Sequence, residues 1–500
     1  MGNAMKSSYL VELALIYLIS VLPNQVAAQA NPGPWDRSDG IGPYSRIIVD
    51  HDRDIRTTIR GNFTVATVGD IVPVRPIAQL EDDSLQSVIS ILRTADVAVG
   101  NFEATISKFE DVNGLHPSVF LSLSEPEIAD DMAALGFDMF NHANNHTIHW
   151  GLEAMYETYR QLDRVGIIHA GGGYNLADAE EAKYFESSKG RVGLLGITTN
   201  AGNGFIAEEA TGKSYGKPGT NYLEITRSIT VSAETLGYFR AAKESAPHIF
   251  PGTYPVSSLR TYTDTGDAIV IYGNRYVAGD TPGYSYTIPD DELETYAREV
   301  RNGKYYSDFV IANIHSHHWD VPEDAKGPWD ESRNPPNFLV RLAHTAIDNG
   351  ADVFFVHGEG EVRGVEIYKG RPIFYGLGNF IRHPYHNHVI PPNFWERTAQ
   401  LLNRETSTDA EVSAWAVTEV HDREYFESVV AVSQFQDGKL AEVRLYPIDL
   451  RFDGPFVDVG IPFLANKEIA DRVLSRIEAG SEMFGTEFQR AGNVGIIRVD

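Results

Sequence analysis

Short apolar runs recur along the chain, and each of them ends at a polar motif. FTVATV precedes Gly69-Asp70, ADVAV precedes GNFE at 100–103, and FDMF precedes NHANNHTIH at 141–149. Further along, DFVIANI leads into HSHH at 315–318, and ADVFFV leads into His357. Runs of this length that are rich in β-branched and aromatic residues predict buried β-strands.

Four segments between these runs are predicted to be helices. They are Ser84–Arg93, Pro126–Leu135, Leu152–Val165 and Asn337–Asn349, and Gly166 and Gly350 follow the last two, as is common at helix ends. Alternating strands and helices predict an α/β fold in which helices cover a mixed sheet. The polar motifs would then lie at the carboxyl ends of strands, where such sheets bind their ligands.

Two regions depart from this alternation. Residues 199–287 are rich in Gly, Thr and Tyr and form an insertion, which is either a cap facing the substrate or an elaborate surface. Beyond residue 400, two apolar runs flank a turn at Asp437-Gly438 and predict a β-hairpin, and Ile469–Ile477 predicts a closing helix. We therefore predict one domain at 62–400 and a β-rich extension at 401–500 that packs on it.

The amino terminus has the pattern of a secretory signal. Lys6 is followed by the apolar stretch LALIYLISVL at 13–22, and Ala28 and Ala30 are small residues placed before a cleavage site. We expect residues 1–30 to be removed and the mature chain to be secreted or periplasmic, with an uncleaved membrane anchor as the alternative. No later segment has the ~20 apolar residues of a membrane helix, so the mature chain is predicted to lack one.

Composition narrows the classes of partner and chemistry. The 500 residues include 42 basic and 69 acidic side chains, for a net charge of −27, and no cysteine. Nucleic acid binding requires a basic face, which this chain lacks, so we predict no nucleic acid partner. The missing cysteines exclude disulfides, thiol catalysis and cysteine-ligated zinc.

The histidines are concentrated in the polar motifs. Ten of the 16 lie within residues 142–149, 315–318 and 357–388. The candidate ligand set after the strands is Asp70, Glu103, Asn145, His146, one histidine of 315–318, and His357. Such mixed oxygen and nitrogen donors suit Mn²⁺, Zn²⁺, Fe or Mg²⁺, and a bound ion lowers the pKa of water to make a hydroxide nucleophile. A histidine outside the ligand shell is then suited to protonating a leaving group.

Seven motifs follow one another between residues 62 and 382. They are VGDIVPVR, DVAVGNFEATIS, NHANNHTIHWG, GIIHAGGGYNLADA, RVGLLGIT, VIANIHSHHW and GADVFFVHGEGEVRGVEIYKGRPIFYGLGNF. This ordered series resembles the CapA family of poly-γ-glutamate capsule biosynthesis proteins. The resemblance implies a calcineurin-like metallophosphoesterase fold, a layered α/β sandwich with a mixed sheet core. It also implies one or two divalent metal ions.

The resemblance assigns roles to individual residues. Its implied metal ligands are Asp70, Glu103, Asn145, His317 and His357, with Glu103 as the bridging ligand. The register of HSHHW leaves His315 as the alternative to His317. His146 is the implied catalytic acid, and Arg75 is implied to be a catalytic residue that contacts an anionic substrate. Because the chain is itself acidic, we expect Arg75 and Arg363 to bind that substrate locally.

Two positions depart from the family pattern. Gly360 stands where the family has the second histidine of a Gly-His-x-Pro-His motif, and His149 stands where it usually has an aspartate. A glycine has no side chain to coordinate a metal, so one metal position is expected to be weak or absent.

Two functions fit the sequence. The first is metal-dependent hydrolysis or transfer on an anionic capsule or envelope polymer, such as poly-γ-glutamate, or on a small anionic molecule. The second is a nonenzymatic accessory that binds polymer within the machinery for capsule synthesis and export. The departure at Gly360 favours the second.

Overall fold

In a computed structural model of the protein, the polar residues that follow the apolar runs lie at or just after the ends of β-strands. The structure describes residues 49–112, 122–202, 204–246, 262–271, 273–320, 334–383, 390, 392–398, 400–420 and 422–499. The predicted signal peptide at 1–30 lies outside these residues.

The described strands are numbered here in chain order. They are β1 (Asn62–Val72), β2 (Val97–Phe102), β3 (Thr105–Ile106), β4 (Leu123–Ser124), β5 (Met139–Asn141), β6 (Ile168–Ala170), β7 (Gly172–Gly173), β8 (Lys183–Ser187), β9 (Gly190–Thr198), β10 (Gly219–Thr220), β11 (Thr226–Val231), β12 (Tyr262–Asp264), β13 (Ala268–Ile271), β14 (Asn274–Ala278), β15 (Gly283–Thr287), β16 (Phe309–His315), β17 (Val353–His357), β18 (Val365–Tyr368), β19 (Arg371–Phe374), β20 (Asn379–Arg382), β21 (Glu427–Gln436), β22 (Lys439–Asp449), β23 (Phe463–Leu464), β24 (Gln489–Ala491) and β25 (Val494–Arg498).

The described α-helices lie between these strands. They are His51–Asp54, Asp83–Thr94, Glu127–Leu135, Leu152–Val165, Leu176–Glu180, Ala233–Ser245, Asp290–Tyr305, Asn337–Asp348, Pro392–Thr398, Asp409–Val420 and Lys467–Ser481. The four helices predicted from the sequence are confirmed to within a residue at most ends. Leu152–Val165 has the predicted bounds because Gly166, in the left-handed region at φ 81°, ends it.

Two large mixed sheets form the centre of the unit Ile55–Asp500. The first has ten strands, in the order β24-β25-β22-β21-β1-β2-β5-β6, with β20 also pairing with β1 and β23 with β22. The second has six, in the order β18-β19-β17-β16-β9-β8. Strands β1, β2 and β5 run parallel, as do β9, β16 and β17, so each sheet collects several carboxyl ends at one edge.

The strands are apolar on both faces because other parts of the protein pack against both faces of each sheet. Val65, Val97 and Ile311 belong to one buried cluster that contains side chains of both sheets. Their neighbours alternate to the opposite faces, where Ala66 packs in a cluster with helix residues and Val310 packs in another. A strand alternates its side chains with a period of two, so burial on both faces produces a continuous apolar run. The predicted layered α/β sandwich is confirmed.

The insertion and the carboxyl-terminal region build further β-structure. Part of the insertion forms a five-stranded sheet, β12-β13-β14-β11-β15, with the helix Ala233–Ser245. The predicted hairpin is β21-β22, and its turn residues Asp437 and Gly438 have φ of 49° and 74°, as expected for a tight two-residue turn. Strand β21 pairs directly with β1, so residues beyond 401 extend the central sheet. The domain boundaries at 62, 400 and 401 stay a prediction.

In the part of the chain that the structure describes, no helix is both long and apolar enough to cross a membrane.

Candidate metal centre

The polar motifs from the two large sheets meet at the carboxyl ends of their parallel strands. Asp70 in β1 is level with Asn101 in β2, and His315 in β16 is level with His357 in β17. The two sheets approach each other here, because His357 Nδ1 lies 3.7 Å from Asp70 Oδ1. Glu103 follows β2 directly and completes the cluster.

Within the described residues, two groups of side chains are spaced to hold a metal ion. One group is Asp70, His315 and His357, and the other is Glu103, His315 and His317. In each group the ligand atoms lie within 4.8 Å of one another, and His315 belongs to both. Sequence reasoning favoured His317 over His315, whereas the structure brings both residues into the cluster.

The two carboxylates of the cluster are buried next to each other. Asp70 Oδ1 accepts a hydrogen bond from the Asn101 amide at 2.8 Å, and Asp70 Oδ2 accepts one from the Gly358 backbone at 3.0 Å. Burial raises the pKa of the Asp70 carboxyl and raises that of Glu103 well above its usual value, with the Asp70 charge raising the Glu103 pKa further. Buried like charges are costly unless a cation compensates them, so this pair suits a divalent ion.

The histidines of the cluster are in the protonation state that binds metals. Burial lowers the pKa of His317 to about 4 and lowers that of His315 and His357 well below its usual value, so all three are neutral at pH 7. The Asn313 amide donates to the Leu195 carbonyl, which leaves Asn313 Oδ1 to accept from His357 Nε2 at 3.0 Å. That bond places the lone pair of His357 on Nδ1, facing the cluster. The residues present therefore fit a bound metal ion.

Asn145 and His146 border the same cluster, and their predicted roles as metal ligand and catalytic acid stay predictions. Asn145 Oδ1 lies 2.9 Å from His315 Nε2, and His146 Nε2 lies 3.5 Å from Glu103 Oε1. The His146 side chain is 23% exposed, so it is open to a bound substrate. His149 Nδ1 lies 3.2 Å from His146 Nδ1, which places the unexpected histidine of this motif behind His146.

Asn101 is a residue of the candidate site for which no role was predicted from the sequence. Besides holding Asp70, its side chain accepts hydrogen bonds from the amides of Asn141 at 2.8 Å and Asn144 at 3.2 Å. Asn144 in turn accepts from the backbone N–H of His146 at 3.0 Å. The sequence could have indicated Asn101, because it is a polar residue inside the buried strand VAVGNF, where an amide without hydrogen bonds would be costly.

The two predicted substrate arginines each interact with an acidic residue. Arg75 is half-buried, which lowers its pKa, while the charge of Asp458 raises it. Arg363 is only 2% exposed, and its Nη2 lies 3.7 Å from Glu359 Oε2. The arginine whose charge acts on Asp70, Glu103, His146 and His317 is Arg382. Substrate binding by Arg75 and Arg363 stays a prediction.

The structure gives a physical reason for glycine at position 360. A Cβ atom added there would contact Cε2 of Tyr425, lie 2.6 Å from its Cζ and lie 2.7 Å from the Asn379 amide nitrogen. Gly360 also has φ of 71°, in the left-handed region that favours glycine. The ring of Tyr425 thus fills the space that a histidine side chain at this position would need.

Replacing Gly360 by alanine is expected to destabilise the protein by about 2–4 kcal/mol, through backbone strain and overpacking together. Urea unfolding of the variant measures the loss. Gly370→Ala is the matched control, because Gly370 has a similar φ of 74° but open space around its Cβ position. Equal losses in the two variants would show that Tyr425 does not restrict position 360.

The candidate ligands lie within a part of the chain that is similar to known proteins. The family model described as "Bacterial capsule synthesis protein PGA_cap" matches residues 64–384. "Uncharacterized protein y4sH" of Sinorhizobium fredii (strain NBRC 101917 / NGR234) is 36% identical over 457 residues, 89% of this chain and 94% of that protein. "PGA biosynthesis protein CapA" of Bacillus subtilis (strain 168) is 22% identical over 326 residues, 64% of this chain and 63% of that protein.

The family match spans more than half of the chain and includes the four strands β1, β2, β16 and β17, at whose ends the two groups of ligands lie. The layered α/β fold is of the metallophosphoesterase-like type of this family. The chain therefore belongs to the bacterial capsule synthesis protein family PGA_cap.

Proposed function

We propose that this protein is a metal-dependent enzyme that hydrolyses or transfers a bond in an anionic capsule or envelope polymer such as poly-γ-glutamate, and that it acts after export. The observation that carries the proposal is the convergence of two buried carboxylates and three neutral imidazoles from two sheets. The name of the B. subtilis relative supports the polymer class, and the apolar stretch at 13–22 supports export.

The donors favour particular ions. Three imidazoles and two carboxylates suit Mn²⁺, Zn²⁺ or Fe²⁺ better than Mg²⁺, which prefers oxygen ligands and retained waters. His315 would hold the ion together with either Asp70 and His357 or Glu103 and His317. When bound, it would supply a hydroxide near neutral pH and polarise the bond that is attacked.

The chain's own residues then account for the remaining tasks. His146 would protonate the leaving group, because it is partly exposed and its Nε2 lies near Glu103 at the edge of the cluster. Burial lowers its pKa well below the usual value, so the ring is neutral at pH 7 and would have to take up a proton before it acts as the acid. Asn144 fixes its backbone, and Asn101 holds the Asp70 carboxylate in place. Burial of the carboxylates and histidines keeps water away from the ligand atoms and strengthens their electrostatic interactions.

The alternative is a nonenzymatic polymer-binding accessory of capsule synthesis or export. The observation that favours it is Gly360, because the side chain of a second histidine is missing and Tyr425 fills its space.

Elemental analysis of protein purified without chelators tests the metal-dependent function. We expect bound transition metal in the wild type and at least about tenfold less in the double variant Asp70→Ala with Glu103→Ala, because each group loses its carboxylate.

Release of γ-glutamyl products from poly-γ-glutamate, in Mn²⁺ or Zn²⁺, is expected to disappear with the metal. His146→Gln should keep the metal while losing activity. Equal, near-zero metal in wild type and double variant would favour the accessory role.

A further inference from the structure

Arg382 is a cation whose charge acts on this site, and its strand lies beside the strand that carries Asp70. Strand β20 runs parallel to β1, with Asp70 level with Asn379 and Val72 level with Arg382. The Arg382 side chain is half-buried, and its guanidinium carbon lies 5.1 Å from the centre of the Tyr425 ring. A guanidinium at this distance over an aromatic face is held by a cation–π interaction.

The charge of Arg382 reaches both sides of the cluster. After burial has raised the pKa of the Asp70 and Glu103 carboxyls, the guanidinium lowers both values again. It also contributes to the lowered pKa of His146 and His317, after the larger effect of burial. One fixed positive charge therefore already compensates part of the negative charge of the two carboxylates.

Tyr425 links this cation to the departure at Gly360. The ring belongs to the 3₁₀ turn Arg423–Phe426, beyond the region 64–384 that matches the family model. It occupies the space of a side chain at position 360 and supports Arg382. The Asn379 amide donates to the Tyr425 carbonyl at 2.9 Å, which ties the turn to β20. The carboxyl-terminal region thus places the Tyr425 ring, with Arg382 packed on it, in the space of a potential metal ligand at position 360.

The two ligand groups compete for one residue. His315 Nδ1 lies 3.2 Å from His357 Nδ1, while His315 Nε2 lies 3.0 Å from His317 Nε2. A neutral imidazole has a proton on one nitrogen and a lone pair on the other. His315 therefore serves either the group with Asp70 or the group with Glu103, but not both at once.

We propose that the site holds a single divalent ion, and that Arg382, supported by Tyr425, acts as the second positive centre and binds the anionic group of the substrate. This inference rests on the metal site of the proposed function. Arg382 is then the arginine that binds the substrate, a role that the sequence predicted for Arg75 and Arg363. A phosphate or carboxylate bound between the ion and Arg382 would gain charge-assisted hydrogen bonds from the guanidinium.

Calorimetric titration of the metal-free chain with Mn²⁺ tests the ion count. We expect one Mn²⁺ per chain, and an electron paramagnetic resonance spectrum without the signals of a coupled pair. Two ions per chain with a coupled spectrum would overturn the inference and leave the proposed function standing. No bound ion at all would instead refute the metal-dependent function itself.

Arg382→Ala tests the role of the guanidinium with two opposite effects. Removing a nearby positive charge should make Mn²⁺ binding several-fold tighter, because the charge repels the ion. Binding of inorganic phosphate to the Mn²⁺-loaded protein should weaken about tenfold or more, because a charge-assisted hydrogen bond is lost. The phosphate affinity of Arg382→Lys should lie between those of the wild type and Arg382→Ala. Tyr425→Leu should weaken phosphate binding less than Arg382→Ala does.

The opposite signs separate a binding role from a structural one. A variant that merely damaged the fold would bind both Mn²⁺ and phosphate more weakly, and that result would overturn the role of Arg382. Unchanged phosphate binding would overturn it as well. Arg160→Ala is the control, because Arg160 is an exposed arginine of the helix Leu152–Val165 that pairs with Glu157.

Discussion

Replacing His315 by alanine is expected to lower the affinity for Mn²⁺ or Zn²⁺ by more than about a hundredfold and to abolish the metal-dependent activity. Loss even of a residue that only orients a ligand typically costs 10–100-fold in affinity, and His315 is itself a candidate ligand. It belongs to both ligand groups, so neither group keeps three donors without it. Titration with metal and the rate of release of γ-glutamyl products measure the two effects.

The single variants His317→Ala and His357→Ala provide the comparison. Each of these histidines belongs to one group only, so each variant leaves the other group complete. We expect both variants to lose less affinity than His315→Ala does. His169→Gln is the control, since His169 lies in β6 and contacts Asp163 rather than the cluster. Retention of wild-type affinity by His315→Ala, with loss in His317→Ala, would contradict the central position of His315.

The sequence predicted the elements well where local chemistry decides them. The strands around Val65, Val97 and Ile311 were visible because both faces of their sheets are buried, which makes the whole run apolar. The helix Leu152–Val165 was predicted to the residue because its amphipathic pattern ends at a glycine. The pairing of β20 and β21 with the side of β1 opposite to β2 was not predicted, because it joins segments more than 300 residues apart.

Some residues of the candidate site could be predicted from the sequence, and others could not. Asp70, Glu103 and His357 were predicted because each lies at or directly after the end of an apolar run, where α/β sheets bind ligands. Arg382 and Tyr425 were missed because neither stands in a motif that is informative by itself. Their importance depends on β20 lying beside β1 and on the turn after residue 422 reaching Gly360.

A buried ion pair at the strand ends opposite to the candidate ligands offers a test of stability. Lys304 and Asp352 are each 1% exposed, and Lys304 Nζ lies 2.6 Å from Asp352 Oδ2. The same oxygen accepts from the Val310 backbone at 2.9 Å, and Arg371 Nη2 lies 2.9 Å from Asp352 Oδ1. Val310 and Asp352 lie at the amino ends of β16 and β17, whereas the candidate ligands lie at the carboxyl ends.

Replacing Asp352 by alanine is expected to lower the free energy of unfolding by about 3–5 kcal/mol, because it leaves the Lys304 ammonium buried without its counter-charge. Urea unfolding of the metal-free protein measures the loss. The control is Asp348→Ala, which removes the exposed partner of Lys369 and should cost about 1 kcal/mol or less. Because the pair and the ligands lie at opposite strand ends, Asp352→Ala should still bind metal with wild-type stoichiometry wherever it is folded. A loss no larger than that of the control would mean that the Lys304–Asp352 pair contributes little to stability.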